Sequence, residues 1–209
     1  MPKCSEELTN SRRDEIINAC AALYESMSFK EITLKEIGKI TSFTRTSIYN
    51  YFQTKEEIFL ALMQREYEEW VTDISAIMNE NEVMDAEAFS DALAWTLENR
   101  KRLLKLISMN LYDIEADSSL ESLISFKKAY GSSILAVLDC LRKFFPKMTE
   151  AEIRNFIYAF FPFMFGIYPY TEATEKQKKA MDEAGVNYVC LTVHDISFQM
   201  ISGLLKGSV

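Results

Sequence analysis

Between Ile32 and Glu57 the chain carries two Thr-x-x-Glu boxes, Thr33 with Glu36 and Thr54 with Glu57, only 21 positions apart. In such a box the two side chains satisfy orphan backbone N–H groups at a helix start, and each box contributes on the order of 1 kcal/mol. Two helix starts this close leave room only for short helices and a tight turn between them. The spacing predicts a helix from about Leu34 to Ile40 that buries Leu34, Ile37 and Ile40, with Gly38 letting a neighbour approach closely. Thr41-Ser42-Phe43 then forms a turn locked by Phe43, and Thr44 caps a helix from about Arg45 to Tyr51. Ile48 and Phe52, four apart, face inward. Arg45, Thr46, Ser47, Tyr49, Asn50 and Tyr51 are left at the surface or its edges.

The same helical periodicity runs through the rest of the chain. Ile16, Cys20, Leu23 and Tyr24 make the buried stripe of a first helix from about Ser11 to Tyr24, and Phe29 and Ile32 plug the corner after it. A long helix opened by the Thr54 box continues through Ile58, Ala61, Leu62, Trp70 and Ile74 to about Met78. Further helices are expected after Asp85 (Phe89, Leu93, Leu97), from about Lys101 to Leu111, and from Leu120 to Phe145, where Pro146 stops the run. A third box, Thr149 with Glu152, starts IRNFIYAFFPFMFGIY, in which Pro162 removes one N–H and predicts a kink. TEATEKQKKAMDEAG reads as a charged connection, and a last helix runs from about Thr192 to Lys206. Gly and Pro number six and four, and no alternating β-branched runs occur. The expected architecture is therefore all-α, about nine helices, with a small helix-turn-helix domain over residues 1–54 and a larger helical body over 55–209.

The 209 residues, 48% of them hydrophobic, suffice for a sizeable core, and no segment reaches the roughly 18 apolar residues of a membrane span. The polar N-terminus lacks an apolar signal core, so a cytoplasmic location is expected. Cys4, Cys20, Cys140 and Cys190 are scattered without a CxxC pair, as suits reduced thiols. The net charge of −8 is unevenly spread: residues 1–55 carry +1 and the remainder −9. A nearly neutral head on an acidic body would be turned head-first toward a polyanion.

A polar face on a short helix after a turn has the chemistry of a major-groove reader. Arg45 can pair with guanine O6 and N7, Thr46 and Ser47 with base edges or a thymine methyl, and Asn50 with adenine. Tyr49, Tyr51 and Lys55 suit phosphates, as do Thr33, Thr44 and the helix N-termini beside them. The competing reading is a capped helical hairpin with a solvated face. Cys190 and His194, one turn apart, face the same way, but one histidine without a third partner is packing rather than a nucleophile pair or a metal site. Tyr112-Asp113 and the acidic 113–121 stretch read as a solvated loop rather than a cation site. No cofactor or metal motif is present and no enzyme is expected; an all-α enzyme with an acidic cleft is the remote alternative.

From Arg12 to about Leu62 the chain resembles the N-terminal domain of tetracycline-repressor (TetR) family regulators. The resemblance rests on an apolar first helix, "Thr-x-x-x-Ile-Gly" over Thr33 to Gly38, and "Thr-Ser-Phe-Thr-x-x-Ser-Ile-Tyr-x-Tyr-Phe-x-x-Lys-Glu-Glu-Ile" over Thr41 to Ile58. Ser42 stands where glycine is usual, which calls for a left-handed backbone at a small cost, and Gly38 stands where alanine is usual. The resemblance implies a ligand-responsive regulator, a repressor, that binds a palindromic DNA operator as a homodimer. It implies dimerisation through the last two long helices, about Thr149 to Tyr168 and Thr192 to Lys206. The apolar faces of IRNFIYAFFPFMFGIY and of the last helix, where Ile196, Met200, Ile201, Leu204 and Leu205 surround Ser202 and Gly203, agree with this; monomer core is the alternative. It also implies a small-molecule effector in the body, apolar or aromatic, for which Trp95, Leu103, Tyr112, Phe126, Tyr130, Phe161, Phe165 and Tyr168 are candidate lining. Ordinary core is the alternative for each, and a regulator of this fold without an effector is the alternative for the whole.

Overall fold

The computed structural model describes residues 2–109 and 111–206, and all regular elements among them are helices. In chain order these are α1 (Pro2–Ser26), α2 (Leu34–Lys39), α3 (Arg45–Ile48), α4 (Lys55–Glu80), α5 (Ala86–Glu98) and α6 (Lys101–Ile107). There follow α7 (Leu111–Ala116), α8 (Leu120–Phe144), α9 (Glu150–Thr171), α10 (Glu175–Glu183) and α11 (Val193–Leu205).

These eleven helices exceed the nine expected, and each of the two additions escapes apolar periodicity for its own reason. The helix α10 lies in the supposed charged connection and buries no residue. It is held by its cap: Thr174 accepts the Gln177 N–H at 3.3 Å while Gln177 accepts the Thr174 N–H at 2.8 Å. A helix with no apolar face leaves no trace in apolar spacing. The six-residue α7, in the supposed 113–121 loop, buries only Ile114 and is too short to show a period. The segment expected to run helical to Leu111 instead closes at Ile107, capped by Ser108. α1 starts well before Ser11 because nothing between Pro2 and Ser11 breaks a helix, and a proline at the first helical position forfeits no hydrogen bond. α9 continues through both Pro162 and Pro169.

The chain divides into two compact units, Met1–Arg65 with Asn110–Ala129, and Glu66–Met109 with Tyr130–Val209. One boundary falls inside α4, one between α6 and α7, and one inside α8.

In the first unit Ile16, Cys20, Tyr24, Ile32, Ile37, Ile48, Phe52, Ile58 and Leu62 are buried. Phe59 receives the edges of Tyr24 and Phe29, with ring centroids 5.3 and 4.8 Å away. Ile40, expected inside, is 53% exposed, because it is the C-cap of α2, where the chain has already turned off the helix. Burial pushes the Cys20 thiol up to about 12, as expected of an inert core cysteine. Cys4 has a side chain outside the described residues.

In the second unit the core is aromatic: Tyr67, Trp70, Phe89, Phe156 and Phe160 are fully buried. The indole N–H of Trp70 donates to Thr96 Oγ1 at 2.9 Å, so its burial leaves no orphaned donor. α5 packs on α11. There the His194 N–H donates to Glu98 at 2.9 Å, its ring nitrogen meets Asp91 at 2.9 Å, and its ring lies on Trp95 at 4.5 Å. His194 is thus engaged by α5, and Cys190 is exposed. Arg100 clamps Glu69 and Asp73, and Arg102 reaches the buried Glu66 carboxylate at 2.6 Å.

Candidate nucleic-acid interface

The reading unit is built on two half-boxes. Thr33 is the N-cap of α2 in extended conformation (φ −130°, ψ 162°) and accepts the Glu36 N–H at 3.2 Å. The Glu36 carboxylate turns to Lys39 at 2.8 Å rather than back to the cap. Thr54 accepts the Glu57 N–H at 3.2 Å, but the Glu57 carboxylate accepts the N–H of Gln53 at 2.7 Å instead of that of Thr54. Glu57 also accepts the Ser119 N–H at 3.1 Å and the Ser122 hydroxyl at 3.3 Å, so one buried carboxylate fastens the start of α4 to the start of α8. Burial pushes its pKa up, and the hydrogen bonds from Ser119, Gln53 and Ser122 outweigh that and leave it lowered.

The turn between α2 and α3 is anchored to α1. The Ser42 N–H donates to Glu15 at 2.6 Å and its hydroxyl to the second oxygen at 3.1 Å. These bonds from Ser42 hold the Glu15 carboxyl below its usual range. No non-glycine residue among those described has a positive φ, so the strain expected at Ser42 is absent. The turn closes with an ordinary backbone because a carboxylate receives its N–H. A Cβ at Gly38 would lie 3.4 Å from both the Arg45 nitrogen and the Phe43 oxygen, an ordinary van der Waals contact, so the turn does not require glycine there.

α3 is regular only over Arg45–Ile48, shorter than expected, and tight turns carry it on: the Tyr51 and Phe52 N–H groups both donate to the Ile48 carbonyl, at 2.9 and 3.1 Å. Thr44 is its N-cap, accepting the Ser47 N–H at 3.2 Å with the two hydroxyls 3.0 Å apart. Ile48 and Phe52 are buried, while Arg45, Thr46, Tyr49 and Asn50 are exposed and Ser47 is half-buried. The Arg45 guanidinium donates to the Tyr49 hydroxyl at 3.3 Å, one turn along, so the two side chains share one outer edge.

Two expected phosphate contacts are placed differently. Tyr51 is braced on α1: its hydroxyl receives Arg12 at 3.1 Å and its carbonyl Arg13 at 2.7 Å, with the Arg13 guanidinium 4.2 Å over the Phe52 ring. Lys55 is turned inward, donating to the carbonyls of Phe29 and Ile32 at 2.8 and 3.3 Å above the Phe29 ring at 4.1 Å. It closes the corner after α1, where two carbonyls beyond a helix end need donors. Arg12, Arg13, Glu15 and Ser119 were missed as positioning residues, because their partners are distant in sequence and no local spacing marks them; the box marks Glu57, but not its bonds to Ser119 and Ser122.

The eight candidates for an effector pocket are divided between the two units. Tyr112, 88% exposed, and Phe126, buried, belong to the first unit; Trp95 is half exposed against His194, and Leu103 is core. Phe165 and Tyr168 are half-buried on α9. Tyr130 and Phe161 meet, ring centroids 5.7 Å apart.

Residues 16–62 match the family described as bacterial regulatory proteins of the tetR family, and residues 64–208 match the tetracyclin repressor-like C-terminal domain. The chain belongs to the TetR family. It is accordingly a transcriptional regulator with a DNA-binding domain at its N-terminal end. Among its relatives is the HTH-type transcriptional regulator YfiR of Bacillus subtilis (strain 168), 29% identical over 63 residues. That match spans 30% of this chain and 31% of YfiR. The fold is shared with a structure from Mesorhizobium loti MAFF303099 assigned to the TetR-family transcriptional regulators, at TM-score 0.63 and 13% identity over 95% of this chain and 97% of that one. It is shared also with the fatty acid degradation regulator FadR of Bacillus halodurans, at TM-score 0.60 and 18% identity over 93% and 98% of the two chains. No helix among the described residues is long and apolar enough to cross a membrane.

Proposed function

We propose that this protein is a cytoplasmic, ligand-responsive repressor that binds a palindromic operator as a homodimer and leaves it when a small molecule binds the body. The observation that carries the DNA-reading part is the face of α3: Ile48 and Phe52 point into the core, which commits Arg45, Thr46, Ser47, Tyr49 and Asn50 to the outside. Arg45, Thr46, Ser47 and Asn50 read base edges; Tyr49, Thr33 and Thr44 meet phosphates, with Tyr51 and Lys55 supporting from behind.

A two-fold operator needs two heads about 34–36 Å apart, one turn of DNA. The helices α9 and α11 supply the dimer face, since α9 leaves Pro169 and Tyr170 exposed and α11 leaves Ile196, Met200 and Leu204 half-buried. An effector that favours a body conformation with another head spacing lowers DNA affinity by its differential affinity for the two states, typically about 1–3 kcal/mol. The test is selection of bound DNA from a random pool. A two-fold site with half-sites about 10 base pairs apart is expected; recovery of no sequence, or of a single half-site, refutes it.

A further inference from the structure

A cavity of about 550 Å³ lies wholly within the second unit, between α8 and α9. Its α8 wall is every fourth residue, Tyr130, Ile134, Leu138 and Arg142, one stripe of the helix. Two contacts orient the facing wall. Tyr130 touches Phe161, with ring centroids 5.7 Å apart, at one end, and Arg142 reaches Glu150 at 3.2 Å at the other. The helices therefore run antiparallel along the cavity, and its chemistry changes along its length. The end at Tyr130 and Phe161 is aromatic, with the exposed Tyr158 and Pro162 also lining it, and the middle is aliphatic, Ile134 and Leu138 against Ile153 and Ile157. The outer end is ionic.

At that outer end Arg142 is matched by Glu150, but Arg154, also lining the cavity, has no hydrogen-bonding or ionic partner among the described residues. The mouth thus carries one surplus positive charge above an apolar trough. Tyr130 to Leu138 covers about 12 Å at 1.5 Å per residue, and the volume is within the range of small-molecule sites, roughly 300–1,000 Å³.

We propose that this groove binds a free amphipathic monoanion, a medium-length apolar chain lying on Ile134, Leu138, Ile153 and Ile157 with one carboxylate-like head on Arg154. One negative charge balances the mouth, and the guanidinium fork fits a carboxylate in a bidentate pair. The ligand class rests on the effector-responsive function proposed above, while the site itself does not.

The test is calorimetric titration of the full chain with decanoate and, separately, with the uncharged decanol. Decanoate should bind the wild type, Arg154→Gln should weaken it about tenfold or more, and decanol should be indifferent to that substitution. Ile134→Trp, which fills the trough, should abolish both, with melting temperatures of the two variants confirming that they fold. Decanoate binding that is absent, or unaffected by both substitutions, overturns the proposal. So does sedimentation showing that Ile134→Trp breaks a dimer while no probe binds the wild type, since the groove then seats a second copy of the chain. If the binding pattern holds and decanoate leaves operator affinity unchanged, the site stands and the effector-release function fails.

Discussion

The carboxylate of Glu57 accepts the backbone N–H of Ser119 at 3.1 Å, across 62 residues of sequence, while its other oxygen accepts the N–H of Gln53 at 2.7 Å. One side chain therefore closes two chain segments that have no local reason to meet. Removing a charged acceptor that serves buried donors costs about 1.5–3 kcal/mol. Glu57→Ala should lower the urea midpoint by a corresponding amount with an unchanged denaturant slope; an unaltered midpoint would show that water replaces the carboxylate freely.

The same residue predicts an acid limb. Its folded pKa is lowered below the ordinary value of 4.5, so its stabilisation is fully present above that value and is lost as pH falls through the lowered one. Glu15, held down by Ser42, acts in the same direction. Urea melts of the wild type should lose stability on acidification below about pH 4.5, and Glu57→Gln should flatten that limb relative to wild type. Parallel curves for the two proteins would remove Glu57 from the acid transition.

Ser42 offers a test of turn geometry. Because its φ is not positive, glycine there relieves no strain, adds freedom to the unfolded chain and removes the hydroxyl that donates to Glu15 at 3.1 Å. Ser42→Gly should destabilise by about 0.5–1 kcal/mol, read from thermal melts. A stabilised variant would mean that the turn is left-handed after all.

The thiols should separate by burial. Burial pushes Cys20 up to about 12 and Cys140 up to about 11, whereas Cys190 is exposed. In a Cys4→Ser background, an aromatic disulfide reagent at neutral pH should label one thiol rapidly and two more only in denaturant. Rapid labelling that persists in Cys190→Ser would contradict this packing.

What was legible in the sequence was whatever is decided within one helical turn. The Thr33, Thr54 and Thr149 caps mark starts within a residue, and Ile48 with Phe52 sets the inward face of α3. What was not legible depends on residues far apart in the chain. Lys55 reads as a phosphate ligand by type but finds the carbonyls of Phe29 and Ile32, and Ser42 escapes strain through Glu15, 27 residues away. Aromatic residue type says nothing about neighbours either, which is why Tyr112 and Phe126 were grouped with residues of the other unit. The α10 helix shows a third limit: its Thr174 and Gln177 box was present in the sequence, but without an apolar stripe it carried no weight.

The central claim is that the outer edge of α3 reads DNA. Arg45 and Tyr49 share that edge, 3.3 Å apart, and neither is buried. The direct measurement is a gel shift of Arg45→Ala and Tyr49→Ala against the selected operator, beside their melting temperatures. A lost bidentate base contact is worth about 1–3 kcal/mol, so Arg45→Ala should bind roughly 5- to 150-fold more weakly, Tyr49→Ala should also weaken, and both should melt within a degree or so of wild type. If both variants bind as wild type does, the recognition helix lies elsewhere and this interface is wrong.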